Sequence, residues 1–328
     1  MVTIISKIRL LCLHLTLGSV FVCSGAIAQE NQFKGWLQSL DNRIILGDEA
    51  VIINNKVYVL NSVPKGDRSL IDTIGKSELL KITNIGGYHM MWDSIDTLVP
   101  DEIGRLKNLL FMEVGNDNGI EFRISDSISQ LQRLEFLYLS GHFRQKDIPT
   151  GIGTLKKLRS LEIHSDSLFL KNEMFSNLDS ILYLKLKAQF IDTIPQRLFR
   201  NNSLDGLILE CDNVGHWDIE SVELPNLFLL AISVSDDEKL PKELKYLNAK
   251  EVQLHVNIKL NLSIIKRWTK LEMLSINFKN PDRNYRLIKK LIKCADSKKL
   301  FLQNSNLEPV EIEKLNQIAR GKMVVQFL

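Results

Sequence analysis

The sequence predicts an α/β solenoid, a curved parallel β-sheet on one side with short helices and turns on the other, and three observations predict it. The first is a recurring apolar spelling. Leu131-Gln-Arg-Leu134-Glu-Phe-Leu137-Tyr-Leu139 returns as Leu155-Lys-Lys-Leu158-Arg-Ser-Leu161-Glu-Ile163 and as Leu178-Asp-Ser-Ile181-Leu-Tyr-Leu184-Lys-Leu186. The second is its spacing. Taking the third apolar place as an anchor gives Met112, Leu137, Leu161, Leu184, Leu207, Leu230, Val252, Leu274, Leu300 and Val324, at intervals of 22 to 26 residues. A fixed period in the 20s marks stacked supersecondary units rather than separate globular domains. The third is a shared turn. Val99-Pro100-Asp-Glu-Ile103-Gly104-Arg-Leu106 matches Ile148-Pro149-Thr-Gly-Ile152-Gly153-Thr-Leu155, and Ile194-Pro195-Gln-Arg-Leu198 follows in phase.

Each part of the unit has a physical reason. In the x-L-x-L-x stretch alternate side chains point to opposite faces, so the leucines enter a core and the three intervening residues face outward. Proline fixes φ and has no N–H, which suits entry into a short convex helix and is rejected from a central strand. One unit cannot cover its own leucines, so stacking makes one continuous core.

These motifs resemble the leucine-rich repeat family over residues 92–328, about ten repeats. The resemblance implies a concave sheet and a convex face of short helices. It also implies a hydrogen-bonding ladder five residues after each anchor, where the family usually has Asn. Here those places hold Asp117, His142, Asp166, Gln189, Asp212, Ser235 and Asn257, which retain bonding capacity but suggest a less uniform ladder.

Ahead of the array, residues 1–28 read as a cleaved signal peptide. Lys7 and Arg9 precede the apolar stretch Leu10 to Val22, and Ala26-Ile27-Ala28 offers a small-x-small cleavage site. That run is shorter than the roughly 20 residues a membrane-spanning helix needs. Cys23 lacks the preceding small residue expected of a lipoprotein. Residues 29–91 read as a small α+β cap. Val51 to Leu60 has the pattern of a β-hairpin turning at Asn54-Asn55-Lys56, and Ile74 to Ile85 that of a short helix leading into a strand. The string from Ile52 to Gly87 also resembles, more weakly, the plug segment of TonB-dependent receptors. At the other end, Pro309 opens a helix to Ala319, Gly321 ends it, and the last six residues before Leu328 supply a final strand whose open edge could support a weak dimer of an otherwise monomeric chain.

Composition narrows function more than it names it. The 328 residues carry 42 Lys and Arg against 39 Asp and Glu, a net of +3 too small to announce nucleic acid or an anionic membrane as a partner. Loss of residues 1–28 would leave Cys211 and Cys294, three strand spacings or more apart and beyond disulfide reach. G-x-S-x-G, H-E-x-x-H, GxxxxGK[ST] and paired C-x-x-C are all absent, so no catalytic residue and no cofactor is expected. His142, His164 and Asp166 on adjacent turns, and Asp212, His216 and Asp218 in one loop, come near a metal set without its spacing, and no metal is expected. Asn201-Asn-Ser203 and Asn261-Leu-Ser263 fit the N-glycosylation sequon.

What remains is the concave face. Aromatic residues gather in its first four repeats: Phe111, Phe136, Tyr138 and Tyr183, flanked by Glu113, Glu162, His164 and Lys185. Rigid apolar anchors ringed by charge are the composition of an interaction hot spot, although aromatics also collect on sheets through strand propensity alone. The reading is a non-catalytic exported protein, secreted, periplasmic or at the cell surface, that binds a protein or a glycan through this face. The alternative is a structural or envelope-associated component docking through its N-terminal segment.

Overall fold

The computed structural model describes residues 50–53, 56–59, 87–91, 98–99, 104, 107, 109–115, 123–143, 148–234, 242–247, 249–256, 262–278, 285–295 and 297–327. The expected leader and the expected helix near residues 74–82 lie outside them. β1 (Ala50–Ile53) and β2 (Lys56–Val59) pair antiparallel with Ile53 opposite Lys56, the pairing expected of the hairpin, whose turn residues Asn54 and Asn55 lie outside the described residues.

The α/β solenoid is present. One sheet of 11 strands holds β3 (Gly87–Met91), β5 (Phe111–Gly115), β7 (Phe136–Ser140), β8 (Ser160–Leu168), β9 (Tyr183–Ile194), β10 (Gly206–Trp217), β11 (Leu229–Ser233), β12 (Glu251–Val256), β13 (Met273–Phe278), β14 (Lys299–Gln303) and β15 (Val324–Phe327) in sequence order. Every pair is parallel. β4 (Leu98–Val99) and β6 (Arg123–Ile124) form a separate parallel pair. The anchors fall opposite one another from Met112 through Leu137, Leu161, Leu184, Leu207 and Leu230 to Leu300, and all are buried.

Two boundaries differ from expectation. β3 pairs with β5, Tyr88 opposite Met112, so the sheet starts before residue 92. At the far end Leu300 faces Val325, not Val324. A one-residue slip exchanges the faces of a strand, and Val324 is accordingly exposed while Val325 and Phe327 pack on the core. β15 is the outermost strand of the sheet.

The convex side changes character along the chain. Early repeats use 3-10 turns at 126–130, 150–154, 172–175 and 196–200; Pro149 and Pro195 stand immediately before two of them with φ −73° and −75°. Later repeats use α1 (Leu262–Ile265), α2 (Tyr285–Cys294) and α3 (Pro309–Ala319). The motif glycines matter through close approach. A Cβ on Gly153 would stand 2.1 Å from the Glu173 carbonyl oxygen and one on Gly104 2.7 Å from that of Ser127, so glycine lets successive turns touch backbone to backbone. Gly321 at φ 80° reverses the chain after α3.

The inter-turn ladder is built elsewhere than expected. At the entry edge of the sheet one carbonyl accepts from two successive N–H groups: Glu135 O from Arg159 and Ser160, Arg159 O from Leu182 and Tyr183, Leu182 O from Asp205 and Gly206, and on to Glu272 O with Lys298 and Lys299. At the exit edge, Ala188 and Cys211 fill the inner place, whereas Gln189 and Asp212 are exposed at the corner. Buried positions run Leu207, Leu209, Cys211 and then Val214, so the strand bends there and continues, and backbone pairing takes over the role assigned to the asparagine position. Asp192 Oδ1, accepting from Leu170 N at 3.0 Å, is a side-chain rung between turns. Cys211 and Cys294 are both free thiols.

Candidate functional site

The intervening residues of each strand face away from the leucine core and form three columns on the inner face. The first holds Phe136, Ser160, Tyr183 and Gly206; the second Tyr138, Glu162, Lys185 and Ile208; the third Ser140, His164, Lys187, Glu210, Ser233 and His255. Phe111 and Glu113 head the first two columns by register on β5. Their side chains lie outside the described set.

Burial corrects the picture of an exposed aromatic ring. Phe136 is 0% exposed, Tyr183 4%, Glu162 3% and Lys185 6%. None of the four belongs to the leucine core; they are closed in on the other side of the sheet. Gly206 belongs to this packing, since a Cβ there would come 2.9 Å from the Tyr183 ring. Met273 and Phe301 make a second small apolar cluster farther along the same face. Rings held this tightly brace the face rather than offer an open platform.

The buried charges are arranged to neutralise one another. Lys185 Nζ lies 3.4 Å from Glu210 Oε1, both side chains nearly enclosed, and half-exposed Lys187 Nζ lies 3.8 Å from Glu210 Oε2. Glu162 stands opposite Lys185 in register. Tyr138 Oη is 3.1 Å from His164 Nδ1, with the rings edge to face at 5.0 Å between centroids. Burial, then Lys185 and Lys187, lower the His164 pKa to about 3. His164 is therefore neutral, and its 3.8 Å approach to Glu162 is not an ion pair. The carboxylate side favours a proton on Nε2, which leaves Nδ1 to accept from the Tyr138 hydroxyl. Burial, with Glu162 and Glu210, pushes the Tyr183 phenol well above 10, so it stays protonated.

The third column opens into a groove of about 570 Å³ along the exit edge of the sheet. Ser140, His164, Lys187, Glu210, Ser233 and His255 reach it from six consecutive strands, and the corner residues His142, Asp166, Gln189 and Asp212 form its rim. His142 Nδ1 contacts Asp166 Oδ2. Sequence reasoning placed His164 here and named the rim as ladder positions and, for His142, Asp166 and Asp212, as members of incomplete metal sets. It missed Lys187 and Glu210, although their column is as periodic as the two it followed.

Among the described residues no three His, Cys, Asp or Glu side chains converge as a metal set. His142 pairs with Asp166 and His164 with Tyr138, which separates the three groups that adjacency suggested. The sequon Asn201 is built into the fold: Nδ2 donates to Leu178 O at 2.8 Å and Oδ1 accepts from Ser203 N at 2.9 Å. No described helix is long and apolar enough to cross a membrane.

A repeating strand–turn unit, one parallel sheet and a leucine core define a leucine-rich repeat solenoid. Solved structures with this architecture are similar to the chain. A leucine-rich repeat protein of Leptospira interrogans aligns over 91% of this chain and 99% of its own at 16% identity and a TM-score of 0.38. The PEPR1–AtPEP1 complex aligns over 76% of this chain and 36% of its own at 14% identity and a TM-score of 0.44. The plant peptide hormone receptor RGFR1 in complex with RGF2 covers 75% and 48% at 15% identity and a TM-score of 0.35. At such distances the likeness says nothing about a ligand. No family model and no curated protein matches the chain, and the plug-like resemblance of residues 52–87 finds no support.

Proposed function

We propose that this chain is a non-catalytic exported binding protein that grips an extended segment of a protein partner in the groove along the exit edge of its inner sheet. The observation that carries the reading is the groove itself. Side chains of both signs and several neutral donors, drawn from six neighbouring repeats, line one continuous trough. Strands spaced about 4.8 Å apart make that trough roughly 24 Å long, the span of about seven extended residues. Glu210 is fixed between two lysines, so its acceptor atoms are preorganised and little is lost in ordering them on binding. A glycan would use the same donors and acceptors without needing the charges.

Export rests on the leader-like residues 1–28, and N-terminal sequencing of the secreted or periplasmic form tests it: a start near Gln29 is expected, and an intact leader contradicts it. For binding, a partner recovered on the immobilised chain is titrated against the parent and against Lys187→Glu. The charge reversal is at a half-exposed side chain, so folding survives while affinity falls about tenfold or more, since it places like charge beside Glu210 and the rim carboxylates. Equal affinity in both proteins rejects the groove as the site.

A further inference from the structure

The near-neutral total conceals a polar distribution of charge. Residues 242–299 hold 15 Lys and Arg against 5 Asp and Glu, a net of +10, while the rest of the chain, with 27 against 34, stands at −7. The solenoid folds that segment into consecutive turns, and among the described residues six of its basic side chains stand exposed on two neighbouring convex turns. On the turn after α1, Lys266, Arg267 and Lys270 are exposed, and on α2 so are Arg286, Lys290 and Lys293. α2 buries Ile288, Leu291 and Ile292, which turns its basic side outward. The acidic residues of the segment do little to offset this. Glu251 is buried on the inner face, and Glu272 and Glu243 are engaged by Lys298 and Lys242 at 3.6 and 4.0 Å. Acidic turns bound the surface, with exposed Glu220 and Glu223 before it and Glu308 and Glu313 after it.

We propose that this convex basic surface docks the protein on an anionic phospholipid membrane. Three features favour a lipid surface over a nucleic acid. Twelve of the 15 basic residues are lysine, a mobile point charge suited to a diffuse layer of headgroups rather than to bidentate reading of bases. The surface spreads over neighbouring convex turns and is not the cleft that a single strand would follow. Tyr246, 58% exposed beside Lys245 with its ammonium 4.8 Å from the ring centroid, is an amphipathic side chain at the border of the patch, where an interfacial tyrosine would sit. The partner groove lies on the other side of the sheet and stays open when the convex side is docked.

Vesicle co-sedimentation of the full chain tests this, using phosphatidylglycerol mixed with phosphatidylcholine against phosphatidylcholine alone. Binding to the anionic vesicles only is expected, and its loss at about 1 M salt, where the Debye length falls to ~3 Å. Each basic residue near an anionic leaflet contributes about a fivefold gain in partition. The triple variant Lys266→Glu, Arg267→Glu, Lys270→Glu should therefore bind on the order of a hundredfold more weakly while melting like the parent. Lys156→Glu with Lys157→Glu, exposed lysines at the matching turn of an earlier repeat outside the surface, should leave binding unchanged. Equal binding to both vesicles, or parent-like binding by the triple variant, overturns the proposal. So does tighter binding to duplex DNA or heparin at matched anion concentration, which would assign the surface to a soluble polyanion. Salt-sensitive self-association without vesicle binding would overturn it too, since the acidic remainder of another copy would then be the partner.

Discussion

Lys185 shows what a single residue does on the inner face. Its ammonium sits against Glu210 and beside Glu162, so it balances carboxylates that the fold has taken out of water. Removing one member of such a buried set leaves charge uncompensated. Lys185→Ala is expected to cost about 3 kcal/mol in urea unfolding, whereas Lys187→Ala, half in solvent, should cost under about 1 kcal/mol. Phe136→Ala should also act on stability, by about 3 kcal/mol, because the ring is wholly buried although it does not face the leucines. Glu251 gives a pH signature. Burial, opposed by Lys299 and assisted by Glu272, raises its pKa to about 7 from 4.5. Between those values the folded chain holds a proton that the unfolded chain has lost, so Glu251 destabilises increasingly as pH rises through 7. Glu251→Gln should stabilise by roughly 2 kcal/mol at pH 8 and by nothing below about pH 4.5, read from melts across that range. The identity of the inner-face residues was legible from alternation alone. Their burial was not, because alternation says which face a side chain takes and not what closes over it.

At the scale of elements, the turn motif was the most readable signal. Pro149 and Pro195 precede convex turns as their fixed φ requires, and α3 with Gly321 and β15 follows the Pro-to-Gly punctuation of residues 309–328. β3 escaped because Tyr88 and Met90 occupy the places where other repeats carry aliphatic anchors. The register slip at β15 has a similar cause: Val324 and Val325 are adjacent, and only Phe327 two places on identifies Val325 as the inward one. Gly153→Ala offers a test of turn stacking. Its Cβ would meet backbone that cannot swing aside, so a loss of about 2 kcal/mol or more is expected in thermal melts. A neutral result would mean that the turns stand farther apart than described.

For the whole molecule, cohesion is a property of the array. Leu161 is fully buried between repeats, so Leu161→Asp should unfold several neighbouring turns together rather than its own unit, seen as lost hydrogen-exchange protection spreading to β7 and β9. The same array separates two surfaces, a mixed-charge groove inside and a basic face outside, and the period that places them was evident before any coordinates. Which residues form a groove depended on the corner after Cys211, where strands bend instead of closing on an asparagine ladder. The measurement that bears most directly on the central claim is hydrogen exchange of the chain with and without its captured partner. Protection confined to the exit edge, at residues 140–142, 164–166, 187–189 and 210–212, is the predicted result. Protection on the convex turns with the groove unchanged would contradict it.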